Sequence, residues 1–172
     1  MGMDVYGTNP TSKEGEYFRN NVWWWRPLAE YILENHAEIV KSCTAWHTND
    51  GDGLGELDAL TLAKALQEDV SSGRMAEWET KYNEWRANLP REDCDYCNKT
   101  GIRTDDIGIK NGMHDKELDP EVQILTGRTH GSCNACNGIG TRESLLSHYP
   151  FSIENMKNFI KFLEDCGGFR IF

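Results

Sequence analysis

An α+β fold carrying a separately stapled lobe is predicted by three features of this sequence. Residues 28–43, 56–71, 74–89 and 153–166 each place apolar side chains at helical spacing. Residues 3–6 and 169–172 are short, apolar and strand-like. Between the third and fourth helical segments, two Cys-x-x-Cys turns enclose a glycine-rich stretch without clear periodicity. The expected architecture is a small helical core with short N- and C-terminal strands. A length of 172 residues fits a single domain over 1–172, with residues 91–142 as a lobe within it.

The first strand, residues 3–6, is stopped by Gly7 and the Asn9-Pro10 turn. From Glu16 to Trp25 the chain is rich in Tyr, Phe, Val and Trp, which favour extended structure. A strand there turns Trp23 and Trp25 to the face opposite Trp24. Core or hairpin packing accounts for these rings; the functional alternative is a stacking platform with Arg19 and Arg26 as anion contacts. Pro27 then opens a helix over residues 28–43, with Leu28, Ile32, Ile39, Val40 and Cys43 as its apolar stripe. His36 falls on or near that stripe, where a hydrogen-bonded core histidine is expected.

Residues 56–71 form the next helix, with Ala59, Leu62, Ala63, Leu66 and Val70 on one face. Ser71-Ser72-Gly73 breaks it, and Met75, Trp78, Tyr82, Trp85 and Leu89 form the core face of a second helix that Pro90 ends. The pair reads as an antiparallel helical hairpin. Ser152 caps the last helix, Gly167 stops it, and residues 169–172 dock as a strand. Cys43 reads as a small buried hydrophobe and Cys166 as an unreactive thiol near a helix C-terminus.

Cys94-Asp95-Tyr96-Cys97 and Cys133-Asn134-Ala135-Cys136 carry the chemistry. Each turn points two sulfurs at one spot, and two turns supply the four thiolates of a tetrahedral Zn²⁺ site. Four soft ligands leave no position for a catalytic water, so the site is structural. His114 and His130 lie between the turns, but four cysteines already complete the ligand set. Residues 107–109 and 122–125 read as short strands within the lobe.

The stretch from Trp46 to Asp58 packs three glycines and several carboxylates ahead of a helix. Counted as a calcium loop, Asp50, Asp52 and Gly53 fit, whereas Thr48 at position one and Ala59 at position twelve do not, which argues against Ca²⁺. A second reading is a polar ligand pocket with His47, Asn49, Asp50 and Asp52 as donors, acceptors or an acid–base pair, joined by Arg19, Arg26 and Trp24. A third is a loop that caps the following helix.

The formal net charge of −10 argues against broad nucleic-acid binding. Lys99, Arg103, Arg128 and Arg142 are the bases a nucleic-acid module in the lobe would use, but acids outnumber bases there. No apolar run has the length of a membrane span, no signal peptide is visible, and Tyr6 occupies the position where a myristoylation motif needs Ser or Thr. A cytoplasmic setting is expected, and a reducing compartment favours metal over disulfide.

Cys133 to Gly140 resembles the Cys-x-x-Cys-x-Gly-x-Gly repeat of DnaJ-type chaperone cysteine-rich regions, and Cys94 to Gly101 resembles it except for Lys99 at the first glycine position. That resemblance implies a zinc-bound β-hairpin lobe and no chaperone activity. A wider likeness, through Met1-Gly2-x-Asp4-Val5-Tyr6-Gly7, Tyr17-Phe18-Arg19-Asn20-Asn21-Val22-Trp23-Trp24-Trp25-Arg26-Pro27, Asn49-Asp50-Gly51 and Tyr149-Pro150-Phe151-Ser152, is to a family of uncharacterised bacterial and phage proteins. It implies a bacterial or phage origin. The expectation is a zinc-bound, non-enzymatic protein that engages a protein partner, such as a phage accessory or anti-defence factor acting on a host protein. The rivals are a nucleotide-binding or hydrolytic site at the Asn49–Asp52 loop and a nucleic-acid-associated zinc module.

Overall fold

In chain order the elements are β1 (Gly2–Gly7), β2 (Tyr17–Asn21), α1 (Val22–Asn35), α2 (Ala37–Val40), α3 (Glu56–Ser71), α4 (Arg74–Ala87) and β3 (Glu92–Asp93). They continue with α5 (Asp106–Lys110), α6 (Pro120–Thr126), β4 (Thr141–Arg142), α7 (Ile153–Asp165) and β5 (Phe169–Ile171). These come from a computed structural model that describes residues 2–172. The α+β class expected from the sequence is the one that forms. The chain divides into two units: the first runs up to Ala87 and resumes over His148–Phe172, and the second is Asn88–Ser147.

In the first unit β1 is the central strand of an antiparallel sheet of order β2-β1-β5. Val5 lies opposite Phe18 on one side and Ile171 on the other. Met3, Val5, Phe169 and Ile171 are buried, as two-residue alternation requires of a sheet with one covered face. Phe18, Phe159, Phe162 and Phe169 gather against that face, with ring centroids 5.1–6.1 Å apart.

The extended run expected from Glu16 to Trp25 stops at Asn21. The Asn21 backbone is extended (φ −76°, ψ 162°) and its side-chain oxygen accepts a hydrogen bond from Trp24 N at 3.1 Å, so helix α1 starts at Val22. Trp25, Leu28, Ala29 and Ile32 then share one buried helical face. Trp23 and Trp24 stay 40% and 37% exposed. Pro27 therefore lies inside the helix instead of opening it. Trp25 stacks on Trp46 at 5.9 Å and its Nε1 donates to the Trp46 carbonyl at 2.6 Å, which pins α1 to the following loop. The helix expected over 28–43 is also two helices, because His36 (φ −134°, ψ 28°) leaves helical geometry between α1 and α2.

Helices α3 and α4 follow as a pair joined through Ser72 and Gly73. The α4 stripe is core only at its start: Met75 is buried, Trp78 and Tyr82 are half-buried, and Trp85 is exposed. At the head of α7, Ser152 accepts from Asn155 N at 3.3 Å and Glu79 of α4 accepts from Ile153 N at 2.9 Å. Two of the free N–H groups of that helix end are thereby satisfied.

The β pairing of the second unit is a two-residue ladder between β3 and β4, Glu92 with Arg142 and Asp93 with Thr141, and one isolated antiparallel bridge between Glu117 and His130. Residues 107–109 and 122–125, expected as strands, lie in helices α5 and α6. Their starts are fixed by caps: Asp105 accepts from Gly108 N at 2.9 Å, and Asp119, followed by Pro120, accepts from Glu121 N at 3.0 Å. Ile107, Ile109, Ile124 and Leu125 remain exposed, so no sheet face was available to bury them.

Asp69 is fully buried where α1, α3 and α4 meet. Its Oδ2 accepts from Tyr31 Oη at 2.6 Å and pairs with His36 Nε2 at 2.7 Å, and its Oδ1 accepts from Arg74. Burial, and then the Arg74 charge, hold His36 below the usual imidazole range, so it donates as a neutral ring. Asp69→Ala leaves Tyr31 and His36 buried and without this partner and should destabilise the chain by about 3–5 kcal/mol. Tyr31→Phe, which leaves the carboxylate two partners, should cost about 1 kcal/mol. Urea unfolding measures both; equal midpoints for the two variants would remove Asp69 as the organiser of this junction.

Candidate metal centre

Each Cys-x-x-Cys segment folds as a tight knuckle. In the first, Cys97 N bonds to Cys94 O (3.4 Å), Lys99 N to Cys94 O (3.1 Å) and Thr100 N to Cys97 O (3.0 Å). In the second, Cys136 N bonds to Cys133 O (3.2 Å), Gly138 N to Cys133 O (3.3 Å) and Ile139 N to Cys136 O (3.0 Å). The matching continues at sulfur: Gly101 N points at Cys97 Sγ and Gly140 N at Cys136 Sγ, both at 3.3 Å. Such N–H···S contacts orient a thiolate and offset its charge.

The glycine pattern follows from how the knuckles face each other. A Cβ on Gly101 would lie 2.2 Å from the Gly138 carbonyl oxygen, and one on Gly140 would lie 2.3 Å from the Lys99 carbonyl oxygen. The contacts are reciprocal, since residues 101 and 99 in one knuckle correspond to 140 and 138 in the other. Asn98 and Asn137 both take left-handed φ (48° and 52°). Lys99, at φ 67°, holds a conformation that Gly138 adopts at 85°, and its ammonium bonds Asp93 at 2.8 Å.

The four sulfurs converge. Cys94 and Cys133 Sγ are 3.9 Å apart, Cys97 and Cys136 Sγ are 3.7 Å apart, and all four lie within 4.8 Å of one another. A tetrahedral ion with bonds of about 2.3 Å separates its sulfurs by about 3.8 Å, so the group can hold a metal ion. All four cysteines are buried. Burial pushes the Cys97 thiol up to about 12 and raises Cys133 as well, whereas at Cys94 burial is outweighed by hydrogen bonds from the three other cysteines and the net shift is downward. Arg103, its side chain 8% exposed, ties the knuckles together. It donates to both Asp105 oxygens (2.8 and 2.9 Å) and to Asn134 Oδ1 (2.8 Å), and lies over the Tyr96 ring at 5.2 Å. Among the described residues this is the one group of three or more Cys, His, Asp or Glu whose ligand atoms come together. His114 and His130 are exposed and lie outside it. Cys43 and Cys166 are buried thiols elsewhere, pushed up by burial to about 12 and about 11.

The Gly- and Asp-rich loop has a different occupation. Gly51 N bonds to Ile171 O (2.8 Å), Ile171 N to Asp52 O (2.8 Å) and Phe169 N to Leu54 O (2.9 Å), so the loop lies along the free edge of β5. A Cβ on Gly53 would approach Phe169 O to 1.9 Å. The Asp52 carboxylate turns back onto its own segment, accepting from Thr44 N (2.7 Å), Ala45 N (2.9 Å) and Gly53 N (2.8 Å). It does not cap α3, whose N-cap is Gly55 with no side-chain bond.

The other expected pocket residues are distributed around this loop and the sheet. Asn49 donates to Gly2 O at 3.4 Å and Arg19 pairs with Asp4 at 3.6 Å. Asp50 is exposed. Arg26 lies over the Tyr149 ring at 5.4 Å, while Trp23, not Trp24, packs on that ring at 4.7 Å. His47 is exposed, and partial desolvation of its ring and then the Arg26 charge hold it below the usual range. The loop carboxylates do not converge into a cation site.

Two predictions follow from this geometry. Gly140→Ala should lower metal affinity at least about tenfold by forcing the knuckles apart, whereas Lys99→Gly should stay within about 1 kcal/mol of the parent, read by chelator competition and thermal unfolding. For Asp52, burial raises the carboxyl pKa, but hydrogen bonds from Gly53, Thr44 and Ala45 outweigh it and the net shift is downward. Its contribution is therefore present above the ordinary value of 3.8 and fades as pH falls through the lower folded value. Asp52→Asn should cost about 1.5–3 kcal/mol at neutral pH, with the gap from the parent narrowing below that value. No protein-family model matches the chain, and neither a curated protein nor a solved structure matches it.

Proposed function

We propose that the chain is a zinc-stapled binding protein, in which a closed Zn(Cys)₄ centre shapes the Asn88–Ser147 unit for contact with a protein partner. The convergence of four buried sulfurs at tetrahedral spacing carries this reading. An all-thiolate tetrahedron suits zinc, and its complete ligand set gives it a structural role. The metal would supply the cross-link between the knuckles; Arg103, Gly101 and Gly140 orient the sulfurs. A surface role is supported by Ile107, Ile109, Ile124 and Leu125, which are 54–86% exposed on the short helices that the knuckles hold. The likeness to bacterial and phage proteins motivates a host protein as the partner.

Purified, reduced protein should contain one zinc per chain and be colourless. Iron with visible absorption would overturn the zinc assignment, and folded protein free of metal would overturn the staple. Chelation should abolish amide protection between residues 88 and 147 while α3 and α7 keep theirs, as hydrogen exchange would report.

A further inference from the structure

Beside the knuckles, the Asn88–Ser147 unit carries an open groove of about 710 Å³ lined by Arg91, Thr100, Leu125, Thr126, Arg128, Ile139 and Thr141. No carboxylate lines it, in a chain with 28 Asp and Glu against 18 Lys and Arg. The adjoining groove on the other side of Ile139 is lined by Glu117, Asp119 and Glu121 with a single lysine, so acid-free walls are not general in this lobe.

The two arginines differ from the bases that flank the knuckles. Lys99, Arg103 and Arg142 each pair with a carboxylate, on Asp93, Asp105 and Asp95 respectively. Arg91 instead donates to Thr141 Oγ1 (3.0 Å) and Thr141 O (2.7 Å). Arg128 donates to the carbonyls of Gly131 (2.8 Å) and Gly138. Neither has a carboxylate within ion-pair distance among the described residues. Their guanidinium planes are thus anchored by neutral oxygens while their charge is left uncompensated. Anchored arginines lose little freedom when they bind an oxyanion.

We infer that this groove binds an acidic peptide segment of a partner protein, its carboxylates on Arg91 and Arg128 and an aliphatic side chain on Leu125 and Ile139. The inference rests on the reading of the chain as a zinc-stapled binding protein and names the chemistry of its partner. A peptide suits the groove better than a nucleic acid, because single strands are held by aromatic stacking and no aromatic ring lines these walls. Thr100 and Thr126 spend their hydroxyl protons on the Cys97 and Val122 carbonyls, so these hydroxyls meet a peptide as acceptors of its N–H groups.

Fluorescence polarisation on the full, zinc-loaded chain tests this with a labelled peptide of alternating Asp and Leu. Its Asn–Leu counterpart and a labelled oligothymidylate serve as comparisons. The Asp–Leu peptide should bind, and the Asn–Leu peptide should bind at least about tenfold more weakly. Arg91→Gln and Leu125→Glu should each weaken binding by about tenfold, whereas Leu125→Lys, which keeps an aliphatic stem against the peptide and adds a cation, should tighten it. Because Leu125 is 67% exposed, both charge variants should keep one zinc per chain, and a gain of affinity cannot come from misfolding. Absence of Asp–Leu binding, equal binding by the variants, or tighter binding of oligothymidylate overturns the acidic-peptide groove. If zinc content stays at one per chain in any of those cases, the zinc reading stands; zinc-free folded protein overturns that reading instead.

Discussion

Within Asn88–Ser147 the buried apolar side chains are Leu118 and the four cysteines, against a core of some two dozen residues in the other unit. A chain segment of that length loses far more conformational freedom on folding than one leucine and four thiols can offset by burial. Metal–thiolate bonds can close the gap because the free energy of ion binding becomes free energy of folding when no site exists in the unfolded chain. Most local features of the lobe follow from this constraint. The glycines permit the knuckles to approach, the left-handed Asn98 and Asn137 turn each chain back toward its sulfurs, and the caps of α5 and α6 order helices that bury almost nothing.

The first unit meets the opposite problem, since its core is large but its sheet has edges to protect. β5 is only three residues long and pairs with β1 on one side. The Gly51–Leu54 backbone takes its other side, and the backbone atoms approach closely enough that Gly53 admits no Cβ. Asp52 holds the loop in register for this by binding the N–H groups of Thr44 and Ala45. An exposed strand edge is thus covered by irregular chain. Three glycines and several carboxylates that resemble a ligand site in one dimension are, in three, a clasp built around one strand.

What was legible in the sequence was whatever depended on a local repeat. The Leu62, Ala63 and Leu66 spacing defines α3 to its observed bounds, and Ser152 marks the start of α7. The four cysteines that converge were legible too, because Cys-x-x-Cys geometry is local to four residues. The tryptophan run was misread since β propensity reports side-chain type, whereas the Asn21 cap and the Trp25, Leu28, Ala29, Ile32 face decide for helix. Residues 107–109 and 122–125 were misread because a short apolar run does not distinguish strand from helix; Asp105, Asp119 and Pro120 carried the better signal. The role of Asp52 was out of reach, since its meaning depends on β5, more than a hundred residues away.

Charge in the lobe is distributed by pairing more than by composition. Net negative charge hides the fact that the bases around the knuckles and the groove fall into two kinds, those neutralised by aspartates and those anchored only by carbonyls and a hydroxyl. The first kind surrounds the knuckles: Arg103 ties Asn134 to Asp105, and Arg103 and Arg142 both lie over the ring of Tyr96 within the first Cys-x-x-Cys. Arg128 spans both roles, since the carbonyl it holds belongs to Gly138, against which Gly101 packs. The same guanidinium that fixes the knuckle geometry also faces the acid-free groove. The knuckles that gather the four sulfurs and the groove therefore share a residue.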